Sequence, residues 1–564
     1  MANRPSQDSP QQRFDQLLDS YYRTWFRFHP EVAVDLGISG LDERLTPYDD
    51  DEIGALIALQ EKAIAGLGEV SFEELDPDRQ LDFRLLAGQA SIEHHDLLER
   101  DWRRRDPIRF LPVNAIYQLT VRDVKNLTGA LFARLGAIPD YLRGARSHLQ
   151  QMPELIPALW LESAHEEAVN GAQFLRDLTQ LPRLHIGPNR SAQFRDLLER
   201  AAHSLEDFAR FLERDLAGHA QGDYACGRQH FNRLLAHRHF LPLNADGLYR
   251  FGQRLFADTR QELDELVKSR KIGDSYKDIV ARIQANHPAP QDLLDQYRKQ
   301  MEAAHAFVRE HRLATLPETE LLQVVETPLF LRHQIPFAAY LEPSPTDPKQ
   351  RGLYYVTPAH SVELLGEHNI PGLMHTCVHE AWPGHHLQFV TANLNSAARS
   401  LPRLINTSAT LYEGWALYCE QLMHEQGFLE GEEHRFLLLR DRLWRALRVM
   451  LDVELHTRAL TVEKAAKRMQ RELGFPHAQA MADLRWYTRS PTVPMGYATG
   501  WALINGAHEC CREADHEFTL QPFHDRLLSA GSMALSLGIQ RVFTPQIWDQ
   551  VKYRVLGDYM GGLT

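Results

Sequence analysis

The segment HEAWPGHH, at residues 379–386, combines side chains that could bind a metal ion with one that could accept a proton. It begins with a histidine and a glutamate, and two more histidines follow a Pro-Gly pair. In zinc hydrolases two imidazoles bind the metal from one face of a helix, and the glutamate beside the first accepts a proton from the bound water. The common motif, H-E-x-x-H, separates the two histidines by about one helical turn, whereas here the second follows six or seven residues after the first.

Helix geometry requires a break between these histidines. Six residues of ideal helix turn roughly 600°, which leaves His385 about 120° from the face of His379, while seven residues carry His386 about 10 Å along the axis. Pro383 removes the hydrogen bond to the His379 carbonyl and clashes with it, and Gly384 allows an unusual backbone angle. We therefore expect a kink that makes His385 the second ligand, with His386 as the reserve candidate. The alternative is a kinked structural helix that carries several histidines.

A third ligand is needed, because zinc in hydrolases has three protein ligands and one open position for water. The best candidate is Glu413, in the segment LYEGWALYCE at residues 411–420. It lies off the apolar stripe of a predicted helix, next to Gly414, which permits close approach of another backbone. Glu420 shares its face and is expected to orient a ligating imidazole, unless it is a surface charge. The sequence thus predicts one Zn²⁺ per chain.

Further polar residues could support catalysis. Arg448, Asp452 and His456 are spaced by four and share one helix face. One interpretation is that Asp452 orients His456 as a hydrogen-bond donor to the substrate; the other is a buried structural salt bridge. Tyr497 lies in a glycine-rich segment that opens a helix, where its phenol could donate to the oxyanion of the tetrahedral intermediate or simply pack.

Two other pairs are candidates for substrate binding. Arg485 and Arg489 could hold the C-terminal carboxylate of a peptide by bidentate contacts, which would make the protein a carboxypeptidase; plain surface charge explains them equally well. Tyr354 and Tyr355 are predicted on an edge strand that pairs with an extended peptide by β-augmentation.

The surrounding sequence predicts a mostly helical protein. An apolar stripe runs through residues 14–25, Asn244 and Thr461 are expected helix N-caps, and a long helix is expected over residues 433–458. The best strand signal is residues 352–358. A boundary near residue 320 would separate an N-terminal helical region, 1–320, from a catalytic metal-binding region, 321–564, although one continuous domain is possible.

Composition excludes several classes of protein. Hydrophobic residues make up 44% and charged residues 24%, which is ordinary for a globular chain. The net charge of −13 disfavours nucleic acid as a partner. Five cysteines without a C-x-x-C pair predict neither a disulfide framework nor a cysteine metal site. No apolar leader or membrane-spanning run is evident, so we expect a cytoplasmic protein that does not bind membranes.

The motif HE-x-x-P-G-H followed by EGWALY resembles the DUF885 family of predicted zinc metallopeptidases. Further family marks are found at residues 325–328, 354–358, 452–456, 485–487, 497–500 and 523–531. The resemblance implies a large helical body like that of the zincins called gluzincins, such as angiotensin-converting enzyme and the thimet oligopeptidases, with a small β element beside the active-site helix. It also implies that His379, His385 and Glu413 bind zinc and that Glu380 is the general base. Departures at Glu454, Val493, Gly496 and residues 507–509 concern segments expected to face the substrate.

The expected function is a zinc-dependent hydrolase that cleaves short peptides, as an oligopeptidase or a carboxypeptidase. One alternative is a metal-dependent amidase with a non-peptide substrate, which would use the same ligands. The other is a non-catalytic protein that binds metal or peptide; Glu380 argues against it, because binding alone needs no general base. The substrate, the cleavage register, the native metal and the oligomeric state are left open.

Overall fold

The computed structural model describes residues 9–181, 184–269, 275–332, 335, 337–359 and 361–561. Over these residues the chain is mainly α-helical, with one small three-stranded sheet. The predicted mainly helical class is therefore confirmed. The closer likeness to gluzincins stays a prediction.

The chain divides into two compact units. The first comprises Met1–Tyr224, Pro328–Gln334 and Ser344–Thr346. Its α-helices are α1 Pro10–Trp25, α2 Pro30–Asp35, α3 Asp50–Gly68, α4 Pro77–Glu99, α5 Val113–Val121, α6 Leu127–Leu149, α7 Ala158–Asp177 and α8 Pro188–Phe211.

Helix α1 shows why the first unit folds as helices. The Ser9 hydroxyl caps its N-terminus by accepting a hydrogen bond from the Gln12 amide, and Pro10 occupies the first turn, where no amide hydrogen is needed. Its buried face includes Phe14, Tyr22 and Trp25. The apolar stripe predicted for residues 14–25 is confirmed.

The second unit comprises Ala225–Thr327, Ile335–Pro343 and Asp347–Thr564. Its strands are β1 Leu321–Glu326, β2 Ala338–Leu341 and β3 Arg351–Val356. The helices that precede and follow them are α9 Arg228–His237, α10 Ala245–Lys268, α11 Tyr276–Ala285, α12 Leu293–Glu310, α13 Val362–Glu367, α14 Ile370–Glu380, α15 His385–Leu394, α16 Leu401–Ile405, α17 Ala409–Glu425, α18 Glu432–Thr457, α19 Val462–Leu473, α20 His477–Arg489, α21 Gly496–Ala514, α22 Leu520–Leu528, α23 Leu535–Val542 and α24 Pro545–Leu556.

Several sequence predictions for this unit are confirmed. Asn244 caps α10 through its side chain, and Thr461 caps α19 in the same way. The long helix expected over residues 433–458 is α18.

The expected boundary near residue 320 lies inside this unit.

The sheet corrects one prediction. The strand order is β1-β3-β2, with β3 parallel to β1 and antiparallel to β2. Strand β3, which carries Tyr354 and Tyr355, is therefore central, and both of its hydrogen-bonding edges are occupied. The prediction of an edge strand that accepts a peptide here is wrong, and both tyrosines are buried. The edges of the sheet are β1 and β2.

Helices α17 and α21 pack backbone against backbone. A Cβ atom added to Gly414 would lie 2.5 Å from the Cα of Gly500, closer than any side chain tolerates. The close approach anticipated beside Glu413 is thus provided by α21. No described helix is long and apolar enough to cross a bilayer.

Candidate metal centre

The HEAWPGHH segment contains the end of one helix, a tight turn and the start of the next helix. Helix α14 ends at Glu380, and α15 begins at His385. Ala381 leaves helical geometry at φ −111° and ψ −92°. A Cβ atom on Gly384 would lie 1.9 Å from the His379 carbonyl oxygen, so only glycine fits this close approach. The expected distortion at Pro383-Gly384 is therefore a complete break of the helix.

The turn is held in place from α17. The indole Nε1 of Trp415 donates a hydrogen bond of 2.8 Å to the Pro383 carbonyl, in a fully buried position. The Gly384 amide donates to the Val378 carbonyl at 3.0 Å. These bonds satisfy backbone groups that the broken helix would otherwise leave without partners. The same helix that carries Glu413 thus also fixes the turn before His385.

His379, His385 and Glu413 converge on one point. Ligand atoms from the three side chains all lie within 4.8 Å of one another. Glu413 Oε2 is 3.6 Å from His379 Nε2 and 3.3 Å from His385 Nε2. The two histidines are only 9% and 7% exposed. The three predicted ligands are brought together, and they are the single such group found among the described residues.

The donor set fits a metal ion. Glu413 Oε2 is buried and makes no hydrogen bond of normal geometry within the described part of the chain, although two imidazole nitrogens face it. Burial raises the pKa of Glu413, but the adjacent imidazoles outweigh burial and hold its pKa well below the usual range. The site therefore presents two nitrogens and an ionised carboxylate, which is a donor set typical of zinc.

Glu420 fixes the tautomer of His379. Its Oε1 lies 2.8 Å from His379 Nδ1, and its Oε2 lies 3.4 Å from His375 Nδ1. With Nδ1 donating to the Glu420 carboxylate, Nε2 is the ring nitrogen that faces Glu413 and that could bind a metal. Burial lowers the pKa of His379, whereas the adjacent carboxylates of Glu413 and Glu420 raise it to about 10 overall. Without a metal Nε2 therefore carries a proton, which a metal ion would displace. Glu420 is buried, so the alternative of a surface charge does not apply.

His386 points away from this cluster. Its Nδ1 lies 3.0 Å from the Tyr340 hydroxyl, and its Nε2 lies 3.5 Å from Glu320 Oε2. Glu320 also accepts from the Trp382 indole at 3.0 Å and approaches His305 Nε2 at 3.2 Å. Burial raises the pKa of Glu320 to about 7. Sequence reasoning missed Glu320, because no periodicity or spacing links it to the motif.

Tyr497 lies at the metal cluster. Its ring stacks against that of His379 at 6.4 Å between centroids. Burial and the nearby Glu413 carboxylate raise the pKa of its hydroxyl well above the usual range. The tyrosine reaches the site because its helix, α21, contacts α17 at Gly414. Its neutral phenol is a hydrogen-bond donor at neutral pH.

Asp452 and His456 support the backbone. Asp452 accepts hydrogen bonds from the amides of Thr492 and Met495, just before α21, and burial raises its pKa to about 8. His456 is 1% exposed. Its Nδ1 accepts from the Cys226 amide, and its Nε2 lies 3.0 Å from the Tyr487 carbonyl. Both nitrogens are thus used by the main chain, which corrects the expectation that His456 donates to a substrate.

Glu380 is the last residue of α14 and is half-buried. Burial raises the pKa values of Tyr297 and Tyr354, and the charge of Glu380 adds to both shifts. Of the two arginines expected to bind a carboxylate, Arg485 is half-buried and Arg489 is exposed, both on α20. The roles assigned to all three residues stay predictions.

The fold and the site together define a mainly helical protein with a buried two-histidine, one-glutamate cluster. Residues 30–541 match the model of DUF885, described as a bacterial protein of unknown function. The chain belongs to the DUF885 family. No match was found among curated proteins.

Two solved structures share the fold. One is titled “a putative lipoprotein of unknown function” from Shewanella oneidensis; it has 21% sequence identity and a TM-score of 0.76, with 95% of this chain and 99% of that chain covered. The other is titled “the putative lipoprotein” from Colwellia psychrerythraea; it has 17% identity and a TM-score of 0.77, with 97% and 99% covered. At these identities the similarity concerns the fold alone.

Proposed function

We propose that the protein is a zinc-dependent hydrolase that cleaves peptide bonds in short peptides. The observation that carries the proposal is the convergence of His379, His385 and Glu413, with Glu420 bonded to the far nitrogen of His379. In a purely structural cluster, the buried and ionised Glu413 Oε2 would be expected to make a normal hydrogen bond, and among the described residues it makes none.

A bound zinc ion would supply Lewis acidity that polarises the scissile carbonyl and makes water a better nucleophile. Glu380 accepts a proton from the attacking water and later passes it to the leaving amine. Tyr497 donates its phenol hydrogen to the oxygen that becomes negative in the tetrahedral intermediate. Glu420 keeps the His379 imidazole oriented throughout.

Burial of the cluster supports a small, flexible substrate. His379 and His385 are nearly enclosed, and the side chain of Glu413 is 13% exposed. The surface of a folded protein cannot reach such a position, whereas a short extended peptide can. Enclosure also keeps bulk water from weakening the electrostatic interactions within the site.

The location of the protein in the cell stays a prediction. A cytoplasmic location was expected from the sequence, whereas two proteins of the same fold are titled as lipoproteins. The proposed chemistry does not depend on the compartment.

The test compares metal content and hydrolysis in matched variants. We expect about one zinc per chain in the wild-type protein and hydrolysis of a short-peptide library. Glu380→Gln should retain zinc and lose turnover, and His379→Ala should lose zinc. Glu425→Gln, an exposed position on α17, is the control and should change neither.

Each result separates the alternatives. Full zinc occupancy in His379→Ala would refute the ligand set. Unchanged turnover in Glu380→Gln would remove the general base. Hydrolysis of a panel of small amides, with no cleavage of peptides, would favour the amidase alternative.

A further inference from the structure

Two largely buried arginines lie on the side of the Tyr497 ring away from the metal cluster. Arg445 and Arg448 both extend from α18. Their guanidinium carbons lie 6.0 Å and 4.6 Å from the centre of the Tyr497 ring. Each also lies 4.2 Å from the centre of the Trp444 ring, so this indole contacts both cations. The carboxylate site predicted from the sequence, at Arg485 and Arg489, lies on α20 instead.

These two cations are incompletely paired. Their side chains are 11% and 7% exposed. Nε and Nη1 of Arg445 and Nη1 of Arg448 are buried and have no hydrogen-bond partner among the residues that the structure describes. Asp441 stands 3.8 Å from Arg445 but pairs with Arg440 at 2.8 Å, and Asp483 stands 3.7 Å from Arg448. Two buried positive charges with free donors are costly unless an anion completes them.

The arrangement is also rigid. Arg448 Nε donates to the Tyr487 hydroxyl at 2.6 Å, and its guanidinium is flanked by four aromatic rings: those of Trp444, Trp486, Tyr487 and Tyr497. A guanidinium held in one orientation loses little entropy when it binds a carboxylate through two parallel hydrogen bonds. The unpaired nitrogens are therefore positioned before a ligand arrives.

We propose that Arg445 and Arg448 form a carboxylate-binding subsite that receives the C-terminal carboxylate of a peptide. The Tyr497 ring contacts both this pair and His379, so a carboxylate here lies close to the scissile bond. The centre of the Tyr497 ring lies 4.6 Å from the Arg448 guanidinium carbon and 6.4 Å from the centre of the His379 ring. The distance between the Arg448 guanidinium and the His379 ring therefore corresponds to roughly one to three residues of extended chain, at about 3.3–3.6 Å per residue. The protein would then release a short C-terminal fragment, an inference that rests on the proposed hydrolase function.

The carboxylate that binds this subsite could also come from an acidic side chain near the cleavage site. The C-terminal carboxylate and a side-chain carboxylate can be distinguished, because amidation of the peptide C-terminus removes the first and leaves the second unchanged. Matched peptides that end in an acid or an amide, with and without a glutamate near the end, therefore distinguish them.

The experiment measures kcat and KM for these peptides with the wild type, Arg445→Gln and Arg448→Gln. We expect the wild type to cleave the acid at least tenfold more efficiently than the amide. Each variant should raise KM for the acid about tenfold or more and leave cleavage of the amide unchanged, which also shows that the variant is folded. Arg435→Gln, an exposed position on α18, is the control.

Equal cleavage of acid and amide by the wild type, with no effect of either variant, would overturn the subsite and leave the hydrolase proposal standing. A preference for amidated peptides that contain glutamate, lost in both variants, would overturn the assignment to the C-terminus. If no peptide is cleaved, the hydrolase proposal fails, and calorimetry decides the subsite. Free Ala-Ala should bind the wild type more tightly than Ala-Ala amide, and equal binding would refute the subsite.

Discussion

Replacing Glu420 with glutamine should weaken zinc binding about tenfold without unfolding the protein. Glu420 Oε1 accepts the Nδ1 hydrogen of His379 at 2.8 Å, and both groups are buried. Loss of such a carboxylate partner typically costs 10- to 100-fold in metal affinity. The amide of glutamine can still accept from His379 and donate to His375, which lies 3.4 Å from the other oxygen. The hydrogen-bond geometry is then preserved and only the negative charge is lost. We therefore expect a loss at the lower end of this range, about tenfold, which is about 1.4 kcal/mol of zinc-binding free energy.

Alanine at the same position removes the partner as well as the charge. The Nδ1 hydrogen of His379 would then be buried without an acceptor, which costs about 1–3 kcal/mol of unfolding free energy. We expect Glu420→Ala to lose roughly 100-fold in zinc affinity and to melt at a lower temperature. The order wild type, glutamine, alanine is therefore the signature of an orienting carboxylate.

Zinc affinity is measured by competition with a chromogenic chelator at fixed pH. Glu425→Gln, at an exposed position on the same helix, controls for the loss of one negative charge near the site. If both Glu420 variants bind zinc within twofold of the wild type while remaining folded, the tautomer argument is incorrect.

Two further predictions concern the supports of the site. Gly414→Ala should lower the free energy of unfolding by about 1–3 kcal/mol and also weaken zinc binding, because its Cβ would lie 2.5 Å from the Cα of Gly500 and push α17 from α21; a denaturant titration that matches the wild type would contradict this. Glu320 has a pKa of about 7 in the folded chain against an ordinary value of 4.5, so the folded state holds an extra proton between these values. The free energy of unfolding should therefore fall as pH rises from 4.5 to 7, by at most about 1.4 kcal/mol per pH unit, and a Glu320→Gln variant should lack that slope; identical pH profiles would show that Glu320 does not titrate in this window.

The local features of the site could be predicted from the sequence. Pro383 and Gly384 indicate a break because their backbone chemistry is incompatible with a continuous helix. Gly414 beside Glu413 indicates a close backbone contact, and the structure has one at Gly500. Both arguments depend on a few neighbouring residues and on covalent geometry.

Long-range pairing could not be predicted in this way. Periodicity places His456 on a polar helix face, but only the folded chain brings the Cys226 amide and the Tyr487 carbonyl to its ring. Strand β3 has the stronger strand signal, whereas β2, the short segment AAYL that covers its other edge, has little. Spacing along one helix therefore identifies a face without identifying what covers it.

Glu320 illustrates the same limit. It becomes relevant only because the Trp382 indole and the His386 imidazole reach it on folding. Likewise, Arg445 and Arg448 on α18 become a candidate subsite only because folding brings the Tyr497 ring of α21 next to them. Such groups are recognised from contacts between elements, not from motifs.

The most direct test of the central claim is a crystal structure with anomalous data collected on both sides of the zinc absorption edge. The account predicts one anomalous peak about 2.0–2.2 Å from His379 Nε2, His385 Nε2 and a Glu413 carboxylate oxygen. If the protein carries zinc but the anomalous peak lies away from these three side chains, the account is contradicted.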